Sequence, residues 1–520
     1  MAAADGPIVI VGAGLVGALL ATVLARRGYR VTVYERYGDI RAIPSSGRSI
    51  NLVATARGLR ALTLLPDDVR ARLLELGVRV TGRVIHAGGE PIFQRYGKDD
   101  SEFNYSISRY ELNKFLISEA EAAGATLRFG HRLLGVELEG EYPVLTFAAP
   151  HEASGQRGVL DSALHAEDNT GAEREVVVRC GGPVVAADGG GSAVRQALSS
   201  AGACAVHSSL LDSGYKEMSF PRAAAEAGGM ARHGLHIWPR GSHMLMGLAN
   251  LDGSFTGTIY MLNQAGDATL ADDASAGASF EEVEAQGVAS AAAFLEAHYA
   301  TALPLLGGVE AAARQLAENP RGILGTVRAR QWAVGGKAVL VGDAAHAIVP
   351  FFGQGMNCGF EDVHELVRLL DEHAAPAIAS PAGYAAAFAA FEAARKPNAD
   401  AIADMALENY VEMQSSTAEP QFRLCKAVEN ALENSPLGAR FRSRYAMVCY
   451  GGAGNVTYAN AQALGRVQWE IVLELAKGVS SAEEAAAQLD VAQAERLLAE
   501  RLEPLQKELQ VDLATVSHAA

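Results

Sequence analysis

The chain has 520 residues, of which 49% are hydrophobic and 20% charged, with 44 basic against 60 acidic side chains and a formal net charge of −16. That length exceeds one ordinary core and points to two or three packed units, and the composition excludes a disordered chain. The acidic balance excludes nucleic acid as the main partner, because phosphate binding needs a basic face, and it excludes broad adhesion to an anionic membrane.

The first segment reads strand–helix–strand. "PIVIVG" is a short β-branched run, "LVGALLATVLARRG" has helical periodicity and stops at Gly28, and "YRVTVYE" is a second strand. Between the first strand and the helix lies "GAGLVG", with Gly12, Gly14 and Gly17 at G-x-G-x-x-G spacing. Glycines here permit a tight turn and close approach of backbone to a pyrophosphate, and the helix that follows presents its positive end. Glu35, at the end of the second strand, is placed to accept hydrogen bonds from ribose hydroxyls. The motif implies a dinucleotide and does not separate FAD from NAD. The uncharged run from Ile8 to Ala25 also permits a signal peptide or a membrane span. Against that, Asp5 stands where a basic segment belongs, and the glycines interrupt the run.

"GRSINLVATARGLRALTLL" reads as a turn and then a helix, and Val78 to Tyr96 as short strands with turns at Gly88, Gly89 and Gly97. A helix begins near Ser108, with Glu111 three residues on as a capping box. Strands follow through "ATLRFGHRLLGVELEG". From Gly140 to Glu175 the chain turns polar and irregular, which reads as an exposed insertion. "VVVRCGGPVVAADGGGSAVRQAL" returns to strand, glycine turn and helix, and places Asp188 at a strand end. Alone, this is equally a corner where Asp or Ser caps the helix. Ser209 to Met261 alternates as an antiparallel sheet does. An Ala-rich helical stretch precedes "KAVLVGDAAHA", a strand that ends at Asp343. From Ser380 the chain reads helical apart from a break at "YGGAGNVTYAN", and its last forty residues read as an amphipathic helix. The five scattered cysteines form no close-spaced metal or redox pair, and no carboxylate–histidine cluster is evident, so no metal is expected.

G-x-G-x-x-G, then D-G, then G-D is an ordered trio that turns "dinucleotide" into FAD. In this order it resembles the group A flavoprotein aromatic hydroxylases. "GRSINL", "RVIH", "LHIWPR", "GDAAHAIVPFFGQGMNCGFED" and "NYVEM" narrow the resemblance to the kynurenine 3-monooxygenase family, over roughly residues 7 to 450. The resemblance implies a flavin-driven hydroxylation of L-kynurenine to 3-hydroxykynurenine that consumes NADPH and O2. It implies an α/β fold with a Rossmann-like FAD-binding domain of the glutathione-reductase type in three segments (1–75, 106–205 and 320–375). An antiparallel substrate sheet would comprise 76–105 and 206–319, and a C-terminal helical domain 376–520. The alternatives are a group A hydroxylase for another aromatic acid, or a flavin-binding scaffold without catalysis.

Carried onto this chain, the resemblance implies FAD contacts at Gly12, Gly14, Gly17, Glu35, Arg48, Arg109, Asp188, Asp343, Gly355, Met356 and Asn357. It implies a carboxylate-binding Arg83 with Tyr96 and Tyr445 beside it, and polar substrate-side positions at Asn409, Glu412 and Met413. Pro350, Phe351 and Tyr260 would wall the ring pocket, with Gln354 close by. A bidentate arginine suits a carboxylate in a dry pocket. No side chain is expected to act as a catalytic acid or base, because the cofactor carries the chemistry, and His346 reads as support for its loop. Eukaryotic members of the family usually end in a hydrophobic membrane anchor. The C-terminal stretch here is charged and alternating, so a cytoplasmic location is expected, with association at the mitochondrial outer membrane as the alternative. The binding site for NADPH is not legible in these residues.

Overall fold

A computed structural model describes residues 6–42, 51–97, 101–150, 173–264, 278–414, 419–451 and 456–517. At the N-terminus the β-branched run Ile8–Val11 forms the centre of a six-stranded sheet, because every one of its residues is buried on both faces. Its neighbours are Val31–Tyr34 on one side and Val184–Ala186 on the other, both parallel to it. Ala338–Leu340 extends the sheet beyond Val184–Ala186, again in parallel. The three glycine-and-acid motifs therefore leave adjacent strands at the same carboxyl edge, although the sequence scatters them over more than three hundred positions. Ligands of open α/β sheets bind at such an edge.

A second, seven-stranded sheet runs in the order 322–329, 206–220, 255–262, 243–249, 234–240, 82–85 and 92–95. The alternating segment from Ser209 to Met261 supplies its middle, as its period of two requires. Gly322–Ala329 pairs along 206–220 in this sheet, although its position in the sequence groups it with the nucleotide-binding segments. Two smaller sheets complete the strand inventory, 51–54 with 104–108 and 77–80, and 132–137 with 144–150 and 173–179. Asn51–Ala54 was expected as a turn, and it pairs antiparallel with Asn104–Ser108. The polar stretch after Gly140 is likewise shorter than its composition suggests. Val144–Pro150 and Glu173–Arg179 pair along their whole lengths, and the part between them lies outside the described residues.

Helices pack against the first sheet. Leu15–Arg26 and Gly355–His373 bury their apolar faces there, and Pro381–Gln414 packs against the second of these. Ser108 caps the helix Arg109–Ala122 by accepting the N–H of Glu111. The expected C-terminal helix is instead a chain of short ones, Val491–Leu497, the π-turn Leu498–Leu502 and Glu503–Leu509. No helix among the described residues is long and apolar enough to cross a membrane.

Candidate functional site

The cofactor side begins at Gly12, whose φ of +102° lies in the left-handed region open to glycine. A Cβ there would come within 2.5 Å of the Ala187 carbonyl oxygen, and one on Gly17 within 2.1 Å of the Gly12 carbonyl oxygen. A Cβ on Gly14 would meet nothing within 4 Å. The turn is thus tight where it meets protein and open at the start of Leu15–Arg26, where a pyrophosphate would need the helix N-terminus. Glu35 Oε2 accepts the Ala13 N–H at 2.7 Å and Oε1 accepts the Tyr37 N–H at 2.9 Å. Both oxygens keep a lone pair for a ribose. Asn113 donates to the Ala13 carbonyl at 2.9 Å and braces the same turn.

Asp188 takes the helix-corner geometry. It accepts the Ser192 hydroxyl at 2.6 Å and the Val194 N–H at 3.2 Å, and burial raises its pKa. Arg195, in the helix so capped, donates to the carbonyls of Gly190 and of Ala344 and ties the second motif to the third. Asp343 is exposed at the head of the turn Asp343–His346, after Gly342 at φ +57°. Arg109 is exposed at the head of its helix, and Arg48 lies outside the described residues.

Beneath the third motif lies a buried charge network. His346 Nε2 donates to Asp362 Oδ2 at 2.5 Å, and the Gly342 N–H donates to the same oxygen at 2.9 Å. Arg395 donates to Asp362 Oδ1 at 2.7 Å and to Glu361 at 3.0 Å, and Arg57 reaches the other oxygen of Glu361 at 2.9 Å. Burial opposes charge on His346, but the Asp362 carboxylate outweighs it and holds the imidazole pKa well above its ordinary value. His346, Cys358 and Asp362 have metal-donor atoms within 4.8 Å of one another. Arg395 already donates to Asp362 and lies 3.3 Å from the Cys358 sulfur, so a guanidinium fills the cation's place.

The segment that follows forms the turn Pro350–Phe352 and then the helix Gly355–His373, with Gly353 at φ +66° between them. Gly355 and Met356 open that helix. The Asn357 amide accepts the Thr55 N–H at 2.9 Å and donates to the carbonyls of Val53 and Gly353, so it shapes the turn through backbone. Gln354 is fully buried, and its carbonyl accepts the Tyr458 hydroxyl at 2.8 Å. Pro350 is exposed, while the Phe351 ring packs against Tyr260 at 5.3 Å and Tyr410 at 4.5 Å between centroids. Asn409 donates to the Phe351 carbonyl at 2.7 Å. Tyr410 was not singled out from the sequence; its place beside Asn409 in "NYVEM" was the available signal. Its hydroxyl bonds that of Ser213 and so joins the long helix to the large sheet.

Phe352 faces the other way and stacks on Tyr445 at 6.1 Å. Tyr445 stacks in turn on Tyr96 at 5.3 Å, and the Arg83 guanidinium lies 5.1 Å from the Tyr445 ring and 5.6 Å from that of Tyr96. Arg83 Nε is buried without a hydrogen-bond partner, and the titratable groups that act on this arginine are Tyr96, Tyr445 and Cys449. Burial works against its charge, and these neighbours hold its pKa above the ordinary arginine value all the same. Among the described residues no carboxylate pairs with it. Burial pushes the Cys449 thiol up to about 12. Glu412 points elsewhere, since it pairs with Arg444 at 3.5 Å and Lys426 at 3.7 Å. The side chain of Met413 lies outside the described residues. The structure thus gathers Arg83, Tyr96, Tyr445, Phe351, Tyr260 and Asn409 on either side of one aromatic turn.

Comparison with known proteins shows the family of the chain and the kinship of its fold. Residues 5–406 match the FAD binding domain family. The chain is 40% identical over 504 residues to a kynurenine 3-monooxygenase of Myxococcus xanthus, covering 96% of each chain. It is 38% identical over 512 residues to one of Xanthomonas campestris pv. campestris, covering 97% of this chain and 99% of the relative. Among solved structures, 2-methyl-3-hydroxypyridine-5-carboxylic acid oxygenase superposes with a TM-score of 0.56 at 18% identity, over 80% of this chain and 95% of that one. PqsL of P. aeruginosa, in complex with 2-aminobenzoylacetate, gives 0.56 at 19% identity, over 79% and 97%. These two share the fold.

Proposed function

The chain belongs to the kynurenine 3-monooxygenase family of FAD-binding enzymes, and from that premise we propose that it hydroxylates L-kynurenine at the ring position beside the aniline nitrogen. The balance is L-kynurenine, NADPH, a proton and O2 going to 3-hydroxykynurenine, NADP+ and water. The observation that carries the substrate reading is Arg83, a half-buried cation whose Nε is sealed from solvent, with no carboxylate partner among the described residues and a stacked pair of tyrosine rings beside it. A buried guanidinium stays charged at low cost only when an anion meets it, and the substrate's α-carboxylate has the charge and the bidentate shape.

Bound FAD would supply the electron transfer from NADPH and the oxygen transfer to the ring. The Gly12 turn, the N-terminus of Leu15–Arg26 and the lone pairs of Glu35 fit its pyrophosphate and ribose. Asp343, at the same sheet edge, would take the ribityl or phosphate side. The protein's own contribution is orientation and dryness. Arg83 and the paired tyrosines hold one end of the substrate, and Phe351, Tyr260 and Tyr410 press on the ring. No general base is required, because the aniline nitrogen already enriches the attacked carbon. His346 is engaged with Asp362 and supports the loop. The test is the visible spectrum of the pure protein. A bound-flavin band that shifts when L-kynurenine is added supports the reading, and a colourless protein that takes up no FAD refutes it.

A further inference from the structure

Two segments carry the tyrosines beside Arg83, and one buried ion pair fastens them together. Glu102 Oε1 lies 2.7 Å from Arg442 Nη2, with the side chains 8% and 3% exposed. On the Tyr96 side, Glu102 folds back over Gly97. A Cβ on Gly97 would meet the Glu102 carboxylate oxygen at 2.2 Å, so the residue next to Tyr96 is glycine to let that carboxylate in. On the Tyr445 side, Arg442 stands immediately before the cap of the helix Arg444–Tyr450. Glu433 Oε1 lies 3.2 Å from Arg442 Nε and also accepts the Ser443 N–H at 3.2 Å, while Gln468 donates to the Arg442 carbonyl at 2.9 Å. The start of the helix that bears Tyr445 is therefore held on three sides. Asn104, two residues past Glu102, adds a 3.4 Å bond to the Tyr445 hydroxyl.

We propose that Glu102 and Arg442 are positioning residues for carboxylate recognition: without touching substrate, they hold Tyr96 and Tyr445 stacked beside the Arg83 guanidinium. The inference rests on the reading of Arg83 as the carboxylate site. It makes affinity for an acidic substrate depend on a contact between the strand-borne loop and the C-terminal helices. Aromatic pressing of the ring by Phe351, Tyr260 and Tyr410 is a separate matter.

The test compares L-kynurenine with its decarboxylated amine, which keeps the ring and loses the carboxylate. Glu102→Gln removes one charge and leaves Arg442 its contact with Glu433. In the FAD-loaded variant, KM for L-kynurenine should rise about tenfold, as for a modest misplacement of a binding group. Its kcat and flavin content should stay near wild type, and its affinity for the amine should not change. Arg442→Lys, which keeps the charge and loses the fork, is read in parallel and should show the same selective loss. An unchanged preference for L-kynurenine in either folded variant overturns the proposal. Equal loss for both ligands overturns it too, since the pair would then be only structural. A wild-type enzyme that binds both ligands alike overturns the Arg83 reading itself, and the positioning pair with it.

Discussion

Replacing Arg83 by alanine should weaken binding of L-kynurenine far more than it weakens binding of FAD. The guanidinium lies beside a stacked pair of tyrosine rings, at 5.1 and 5.6 Å, and its Nε has no hydrogen-bond partner. Nothing in the protein is left as an uncompensated anion when it goes, since no carboxylate among the described residues pairs with it. The loss is then that of a charge-assisted hydrogen bond to the ligand, about 1.5–3 kcal/mol. At about 1.4 kcal/mol per factor of ten, the dissociation constant rises roughly 10- to 150-fold. The flavin turn draws on other elements, so FAD content should hold. Titration of the flavin absorbance with L-kynurenine reads the affinity directly, without turnover. A dissociation constant within about twofold of wild type would falsify the assignment of Arg83, because a charged bond cannot be worth so little in a buried site.

The glycine turn offers a contrast within one motif. Gly12→Ala drives a Cβ into the Ala187 carbonyl and should lose FAD, whereas the site of Gly14→Ala has open space and should keep the fold while binding FAD more weakly. Flavin-to-protein ratio and apoprotein Tm separate the two, and full flavin in the Gly12 variant contradicts the turn geometry. Phe351→Ala removes the ring between Tyr260 and Tyr410, so NADPH consumption should exceed product formation; tight coupling in this variant would count against the aromatic wall. Two pH effects have opposite signs. His346 has a raised pKa, so its pair with Asp362 contributes fully below about pH 6.5 and is lost as pH rises through the folded value. The Tm deficit of His346→Gln should therefore shrink at high pH, and a deficit that grows with pH refutes the ion pair. Burial lowers His243 to about 3, so its contribution is present above about pH 6.5 and is lost as pH falls toward that value. His243→Phe should flatten the acid limb of the stability curve, and an unchanged slope there refutes the assignment.

Much of the cofactor side was legible because its signals are local. A β-branched run, three glycines and an apolar helical stripe fall within one strand–turn–helix, and the structure reproduces that order. Asn51–Ala54 was missed because "NLVATARGLRAL" continues its apolar spacing into the helix that follows, and only pairing with Asn104–Ser108 decides the strand. Val144–Pro150 was lost in the polar surroundings of its hairpin for the same reason. On the substrate side, the family motifs brought out Arg83, Tyr96 and Tyr445, which no periodicity relates. The Glu102–Arg442 pair left no trace, since its partners stand 340 positions apart and each reads alone as a solvated charge. The Arg395–Asp362 pair was equally silent, for its burial depends on how two long helices pack.

The central claim is oxygen insertion into the kynurenine ring, and the most direct measurement is turnover under 18O2 with NADPH and L-kynurenine, read by mass spectrometry. The account predicts 3-hydroxykynurenine carrying a single 18O atom, formed only when all three reactants are present. NADPH oxidation without any labelled hydroxykynurenine would contradict it.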